Sequence, residues 1–267
     1  MPELPEVETI VRDLKPFQGK TFAKVQVNDA FVLRQSLDGF KKALLNQTIK
    51  SIYRRGKAII VHLSSGKSLI VHLMMTGQLV MNHQADKHTR IEFKFSDGSV
   101  LLYNDQRRFG QLRVVAELAE VKYFNILGPE PFSDEFTTAV IQEACKGSKR
   151  PIKNLLLDHT VIAGIGNIYA CEILFRSKIS PIRLASSITK KQADLLYQQI
   201  IEVLDEAIKH RGSSMRNYRD GAGQKGRFNQ RISVYAKQGE PCPVCSKSLL
   251  RIIQAGRSTF YCKQCQK

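Results

Sequence analysis

Gly128-Pro129-Glu130-Pro131 divides the chain. Two prolines and a glycine within four residues continue neither a helix nor a central strand, and the patterning changes across them. Upstream, alternating or β-branched runs occupy Thr21 to Val27, Lys57 to Leu63, Lys67 to Leu73, Arg90 to Phe95 and Ser99 to Asn104, with turn sequences at Ser64-Ser65-Gly66 and Ser96-Asp97-Gly98. Ahead of them, Val7, Ile10, Val11 and Leu14 fall at helical spacing behind Pro5, a residue suited to a first turn. Downstream the period is helical. Thr189 and Gln192 form a capping box before Ala193, Leu196, Ile200, Val203, Leu204 and Ala207, and Gly212 ends the run. The class is therefore α+β, with an N-terminal helix and a two-layer β-sandwich over residues 1–130 and a helical domain over 131–230. From Arg216 to Gln230 the chain is glycine-rich and basic, which favours a mobile loop.

With 267 residues, 43% of them hydrophobic, the chain can build a core and is neither disordered nor fibrous. No apolar run approaches the ~18 residues of a membrane span, and Met1-Pro2-Glu3-Leu4-Pro5-Glu6 lacks the basic start and apolar stretch of a signal peptide. The expected compartment is the cytoplasm. Forty-one Lys and Arg against 24 Asp and Glu leave a formal +17, which favours a polyanionic partner, and the excess is heavier beyond residue 130. Charge alone does not separate DNA, RNA, ribosome and anionic membrane.

Cys242-x2-Cys245 and Cys262-x2-Cys265, sixteen residues apart, have the spacing of a four-cysteine zinc ribbon over 231–267. Four thiolates close a tetrahedron, so the single zinc expected here is structural. Two disulfides are the alternative, one that a reducing compartment disfavours. The segment Leu249 to Phe260 can form a hairpin with Arg257 at its tip, in reach of a phosphate. Cys145 and Cys171 lie in apolar helical stretches and read as core residues.

Met1 before a residue as small as Pro2 is usually removed, which leaves a secondary amine at the chain start. An α-amine has a reference pKa near 8 against about 10.4 for lysine, so far more of it is unprotonated at neutral pH. Attack by such an amine on a carbonyl-like carbon gives an iminium. Of the neighbouring Glu3 and Glu6, one carboxyl can move protons while the other orients the chain start. The same glutamates, with Glu8, would also serve simply to complement a helix dipole.

The start Pro2-Glu3-Leu4-Pro5-Glu6-Val7-Glu8 resembles that of formamidopyrimidine-DNA glycosylases, and further motifs follow in the family's order. They are Arg54-Arg55-Gly56-Lys57, His72-Leu73-Met74-Met75-Thr76-Gly77, Asp105-Gln106-Arg107-Arg108-Phe109-Gly110, Gly164-Ile165-Gly166-Asn167-Ile168-Tyr169 and the terminal cysteines. The resemblance implies a monomeric base-excision repair enzyme, both glycosylase and abasic-site lyase, acting on oxidised purines in double-stranded DNA at the nucleoid. It implies that Pro2 attacks C1′ of the damaged nucleotide, Glu3 protonates the opening sugar, Glu6 supports the site and Lys57, the family's active-site lysine, contacts phosphate and aids catalysis. The resulting Schiff base would drive strand cleavage by β/δ-elimination. A base inside a duplex must be flipped, and Met75, Arg107 and Phe109 resemble the residues that fill the gap. Gly164-x-Gly166-Asn167 opens a helix whose free N–H groups can hold a phosphate. With the segment Ile152 to Leu157 it resembles a helix-two-turn-helix in which Lys153 faces the same backbone. His88 matches a phosphate-contacting histidine, and the loop after Arg216 stands where the family caps the lesion. Two other readings remain: an endonuclease VIII-like glycosylase for oxidised pyrimidines, and a zinc-ribbon DNA-binding protein without catalysis.

Overall fold

Leu4–Asp13 form the first helix, α1, with Pro5 in its first turn. Val7, Ile10, Val11 and the following Leu14 are buried along one stripe, as a period of 3.6 residues requires. That stripe packs on two antiparallel sheets. One runs in the order β1 (Phe22–Val27), β6 (Thr89–Phe95), β7 (Val100–Asp105), β5 (Gly77–Met81). The other runs β2 (Ile49–Arg55), β3 (Ala58–Leu63), β4 (Ser68–His72), β8 (Gln111–Val115). The computed structural model describes residues 1–215 and 217–267; Arg216, where the glycine-rich stretch begins, lies outside the described residues.

Both sheets turn their apolar faces into one core with α1. Strand β6 alternates buried and half-buried positions along its whole length, which marks a strand with one wet face. Phe22 lies 4.8 Å from Phe95 and 5.7 Å from Phe93, ring to ring; burying each such ring stabilises the sheet pair by about 2 kcal/mol. Strand β3 is buried on both faces. Ile59, Val61 and Leu63 enter the main core, while Ala58 and Ile60 meet Val121, Tyr123 and Phe124, the last two from a short helix α3 (Lys122–Asn125). Helix α2 (Leu37–Leu44) adds Phe40 and Leu44 to the main core. Strands β2, β5 and β8 were not among the expected runs. Each carries charged or amide side chains on its outer face and only two or three core residues, too few for a pattern to stand out.

The packing units divide the chain differently from segments 1–130, 131–230 and 231–267. One unit comprises Met1–Asn125 together with Ile208–Asn229; the other comprises Ile126–Ala207 and Gln230–Lys267. The second holds α4 (Thr138–Cys145), α5 (Ile152–Leu156), α6 (Asn167–Arg176) and most of α7 (Lys190–Lys209), plus a hairpin of β9 (Leu250–Gln254) and β10 (Arg257–Tyr261). The capping box that opens α7 has both its bonds: Thr189 N–H donates to Gln192 Oε1, and Gln192 N–H to Thr189 Oγ1. Among the described residues no helix is long and apolar enough to cross a membrane.

Asp105 closes the loop that joins β7 to β8. Its buried carboxylate accepts Gly110 N–H at 2.7 Å, Arg107 N–H at 3.2 Å and the hydroxyl of Thr76 from a second loop. Tyr103, fully buried, donates to the same carboxylate, and burial beside that charge pushes its phenol pKa well up. A Cβ on Gly110 would stand 1.6 Å from Tyr103 Oη and 2.9 Å from Asp105 Oδ2. Gly110→Ala should therefore cost about 1–3 kcal/mol of overpacking and unseat Asp105. Urea unfolding of the variant should show that loss.

Candidate active site

The chain start is held by side-chain carboxylates that accept backbone N–H groups. Glu6 is 2% exposed, and its carboxylate accepts Glu3 N–H at 2.8 Å through one oxygen and Ser213 N–H at 2.7 Å through the other. Pro2 and Glu3 are buried beside it. Gly212, at φ +74°, lies so close that a Cβ there would meet Glu6 Oε1 at 2.7 Å. Both early carboxyls take part in the capping box of α1, and Glu6 in addition ties the chain start to Ser213. Glu8 pairs with Arg54 at 3.2 Å and Arg12 at 2.9 Å, and Arg54 also donates to Gly56 O. Those bonds tie α1 to the turn that carries Lys57.

Lys57 donates its backbone N–H to Tyr123 Oη at 3.1 Å. Opposite Ala58 in the ladder stands His72, its ring edge-on to Tyr123 at 5.5 Å. Burial, and secondarily the positive charge of Lys57, hold the His72 pKa down to about 4. The imidazole is therefore neutral at physiological pH. Only the tertiary ladder brings His72 and Tyr123 to Lys57; no local motif could have announced the trio.

The segment following α7 is hydrogen-bonded at several of its described positions. Arg211 donates to Asp13 at 2.6 Å and to Asp220 at 2.7 Å, Asp13 also accepts Gly221 N–H, and Met81 N–H bonds Gly221 O. Asp220 is fully buried and accepts Ala222 and Gln224 N–H groups. Tyr218 enters the sandwich core, its hydroxyl on Glu6 O. The composition is that of a loop, yet buried Asp220, half-buried Asp13 and a tyrosine pin it. The sequence sign that could have been read is Asp220-Gly221, an acid whose side chain organises its own turn.

Two exposed points project from the sandwich. Met75 is 39% and Phe109 45% exposed; Arg107 is exposed with its guanidinium 4.6 Å from the Phe109 ring. Met74 (φ +52°) and Arg108 (φ +60°) stand in left-handed backbone, a strain of order 1 kcal/mol that collects at functional sites. Asp105 holds both points, through Thr76 and through Arg107 N–H. Beside them a polar cleft of about 250 Å³ is lined by Thr76, Gln78, His88, Asn104, Gln106 and Arg219. His88 is half-buried at its rim, with its N–H on Asp86.

In the second unit, Gly166 caps α6 and Asn167 opens it. Lys153, expected to face a phosphate, instead is wholly buried. Its ammonium donates to Asn167 Oδ1 at 2.6 Å and Thr259 Oγ1 at 2.7 Å, while Asn167 Nδ2 donates to Ser258 O at 2.9 Å. A lysine aliphatic stem enclosed by α5 and α6 carries its charge inward, so Lys153 orients Asn167 and fastens it to the hairpin. Arg257, next to Ser258, is exposed at the hairpin tip. Glu172 of α6 is buried and accepts three successive N–H groups, from Ser233, Val234 and Tyr235. Burial raises its pKa against the pull of those bonds.

The sulfurs of Cys242, Cys245, Cys262 and Cys265 all lie within 4.8 Å of one another. Cys242 and Cys265 stand 3.8 Å apart and Cys245 and Cys262 3.5 Å apart, far beyond the ~2.05 Å of a disulfide, and all four are free thiols. Thiolates bonded at about 2.3 Å to one tetrahedral zinc stand roughly 3.8 Å apart, so the cluster fits that ion. The donor chemistry agrees. Lys247 N–H draws Cys245 down to about 7, whereas desolvation and the adjoining thiols push Cys265 up to about 12; only a cation lets all four ionise together. Cys242 and Cys262 pack with Cys171, Phe175, Val234 and Phe260 in one small core. Cys145 is buried separately.

Comparison with known proteins covers nearly the whole chain. Residues 1–112 match the formamidopyrimidine-DNA glycosylase N-terminal domain, 127–219 the formamidopyrimidine-DNA glycosylase H2TH domain, and 239–267 the zinc finger found in FPG and IleRS. A formamidopyrimidine-DNA glycosylase of Desulforamulus reducens is 40% identical over 275 residues, covering 100% of this chain and 99% of that protein. The crystal structure of the MutM (Fpg) protein of Thermus thermophilus superposes with a TM-score of 0.90 at 39% identity, covering 99% of this chain and 98% of that one. Lactococcus lactis Fpg in complex with abasic-site DNA superposes with a TM-score of 0.92 at 34% identity, covering 99% of each chain. The same Lactococcus protein has been solved with DNA containing Fapy-dG.

Two outcomes follow from this geometry. Because the folded His72 binds its proton only near pH 4 and the unfolded one near 6.5, acidification favours the unfolded chain through that window. Stability should fall as the pH drops from 6.5 and level off below 4, and His72→Gln should flatten that part of a denaturation series. Chelating the zinc, or replacing Cys262 by Ser, should expose the amides of β9 and β10 to hydrogen exchange and lower DNA affinity about tenfold or more, with the sandwich amides still protected. Full amide protection without bound metal would refute the structural role.

Proposed function

The chain belongs to the formamidopyrimidine-DNA glycosylase family, and on that premise we propose that it excises oxidised purines from duplex DNA and then cleaves the strand as an abasic-site lyase. The observation that carries the chemistry is the fixed chain start: Glu3 and Glu6 share one buried turn, with Glu6 bonded to Glu3 N–H and Ser213 N–H. With Met1 removed, Pro2 presents a secondary amine at that point. Its lone pair attacks C1′ as the carboxylic acid of Glu3 protonates the sugar ring oxygen, the C1′–O4′ bond opens and the damaged base leaves. The product is an iminium between Pro2 and C1′, an electron sink that acidifies the C2′ hydrogen. Loss of that proton expels the 3′-phosphate in β-elimination, and a second elimination expels the 5′-phosphate.

The remaining residues serve binding. Lys57 meets a phosphate at the lesion; His72, neutral beside it, adds no competing charge. We assign the everted base to the polar cleft beside Thr76 and Gln78, and the vacated stack to Met75, Arg107 and Phe109. Met and Phe wedge a base step, and Arg can hydrogen-bond the orphaned partner base. The start of α6 with Asn167, and Arg257 at the hairpin tip, take backbone phosphates, and His88 takes another. A catalytically silent zinc-ribbon protein would have no use for the buried Glu3–Glu6 turn. The Lactococcus lactis relative's complex with Fapy-dG DNA favours purine lesions over the oxidised-pyrimidine alternative. The enzyme would act as a monomer.

The chemistry separates into two variants. Pro2→Gly keeps a free amine but makes it primary and flexible, so excision and borohydride trapping should both fall while lesion binding survives. Glu3→Gln cannot donate a proton as an acid does. General acid catalysis is typically worth ~10²- to 10⁴-fold, so base excision should drop within that range. Cleavage of a preformed abasic site should suffer less, since no glycosidic bond remains. Equal losses on both substrates would contradict the division of labour.

A further inference from the structure

Phe31 is 63% exposed, and nothing in the proposed chemistry uses it. A lone exposed aromatic needs no explanation; this one is fixed in place. Asp29 Oδ1 accepts Phe31 N–H at 3.0 Å and caps a short turn of helix over Ala30–Val32. Val32 and Leu33, immediately after, are buried in the main core, and Leu33 bridges Leu112 at the start of β8. The backbone that carries the ring is therefore fixed, and the ring stands beside Arg108 of the loop that carries Arg107 and Phe109.

Arg108 lies over that ring, its guanidinium carbon 5.6 Å from the centroid and Nη1 3.7 Å from Asp29 Oδ2. One carboxylate thus fixes both members of the stack. Arg108 itself stands at φ +60° with its side chain 57% exposed. An exposed cation–π pair is worth about 0.5–1 kcal/mol and a surface ion pair 0–1. Left-handed backbone at a non-glycine residue costs of order 1–3 kcal/mol. The contacts do little more than offset the strain, so fold stability alone does not account for the arrangement. It repeats the neighbouring Arg107–Phe109 stack at 4.6 Å, and exposed Arg34 adds a further positive charge nearby in the chain.

We propose that Phe31 and Arg108 form a second aromatic–guanidinium stack that grips the DNA backbone flanking the wedge, Arg108 on a phosphate and the Phe31 face on the adjoining deoxyribose. This rests on the assignment of Arg107 and Phe109 to the duplex. Phe31 is then an affinity residue outside the lesion pocket, indifferent to which base is damaged.

The chain contains no tryptophan, so Phe31→Trp places a single indole at the proposed contact. Its fluorescence should shift on titration with a duplex carrying a tetrahydrofuran abasic-site analogue, with the same Kd that anisotropy of labelled DNA gives. Phe31→Ala should raise that Kd about 3- to 10-fold for lesion and undamaged duplex alike. Arg108→Ala should also lower the salt slope of log Kd by about 0.9, the share of one phosphate. Because both side chains are exposed, circular dichroism should show each variant folded. An unperturbed indole on a protein that anisotropy shows to be bound, or a Phe31→Ala variant of wild-type affinity, overturns the second stack alone. A wild-type protein with no affinity for the duplex overturns the proposed function as well.

Discussion

Both oxygens of the Glu6 carboxylate are taken by backbone N–H groups, one three residues back in the chain and the other two hundred residues on. The site depends on that arrangement. A chain terminus is ordinarily the least ordered part of a protein, whereas a nucleophile must be held to a fraction of an ångström to gain from proximity. Placing Pro2 and Glu3 at the mouth of α1 gives direction. Fastening Glu6 to Ser213 gives position, and the fastening holds only because residues 208–229 fold back into the first unit. Arg211, bonded to Asp13 and Asp220, closes the base of the returning segment, and Gly212 is required at its crossing because any side chain would collide with Glu6.

A similar arrangement recurs across the molecule: charged side chains with little exposure hold the segments that carry the proposed DNA contacts. Asp105 orders the Thr76 and Arg107 loops, Asp29 orders Phe31 and Arg108, and Lys153 orders Asn167 and the hairpin. Isolated buried charges are costly, and here Asp105 and Lys153 are each satisfied by several hydrogen bonds in a fixed direction. Glu172 is the extreme case, one carboxylate for three N–H groups at the root of the zinc finger. A positively charged protein that binds a flexible polyanion gains affinity from any exposed lysine. Register on a single nucleotide needs this second layer.

What the sequence revealed, it revealed through short-range rules. The Thr189–Gln192 box, the Cys-x2-Cys pairs and the alternation of β6 each depend on chemistry within a few residues, and each is present in the structure. The family motifs marked Pro2, Glu3 and the exposed Met75, Arg107 and Phe109. Long-range partners were not legible. Lys153 is an ordinary lysine on a short helix until Thr259, more than a hundred residues on, supplies its acceptor. Residues 217–230 have a loop's composition, yet Tyr218 and Asp220 are locked in place by α1 and Arg211. His72 gained its neutral state from packing against Tyr123 beside Lys57, neither adjacent to it in sequence.

On the proposed mechanism the covalent bond to DNA forms at the fixed chain start. Borohydride reduction of the enzyme on abasic-site DNA, followed by nuclease and trypsin digestion and mass spectrometry, locates that bond. The sugar remnant should be found on the Pro2 nitrogen, in the peptide ending at Arg12. A remnant on the side chain of Lys57 would contradict that mechanism, since the amine would then lie on the sandwich and the Glu6 anchor would have no nucleophile to hold.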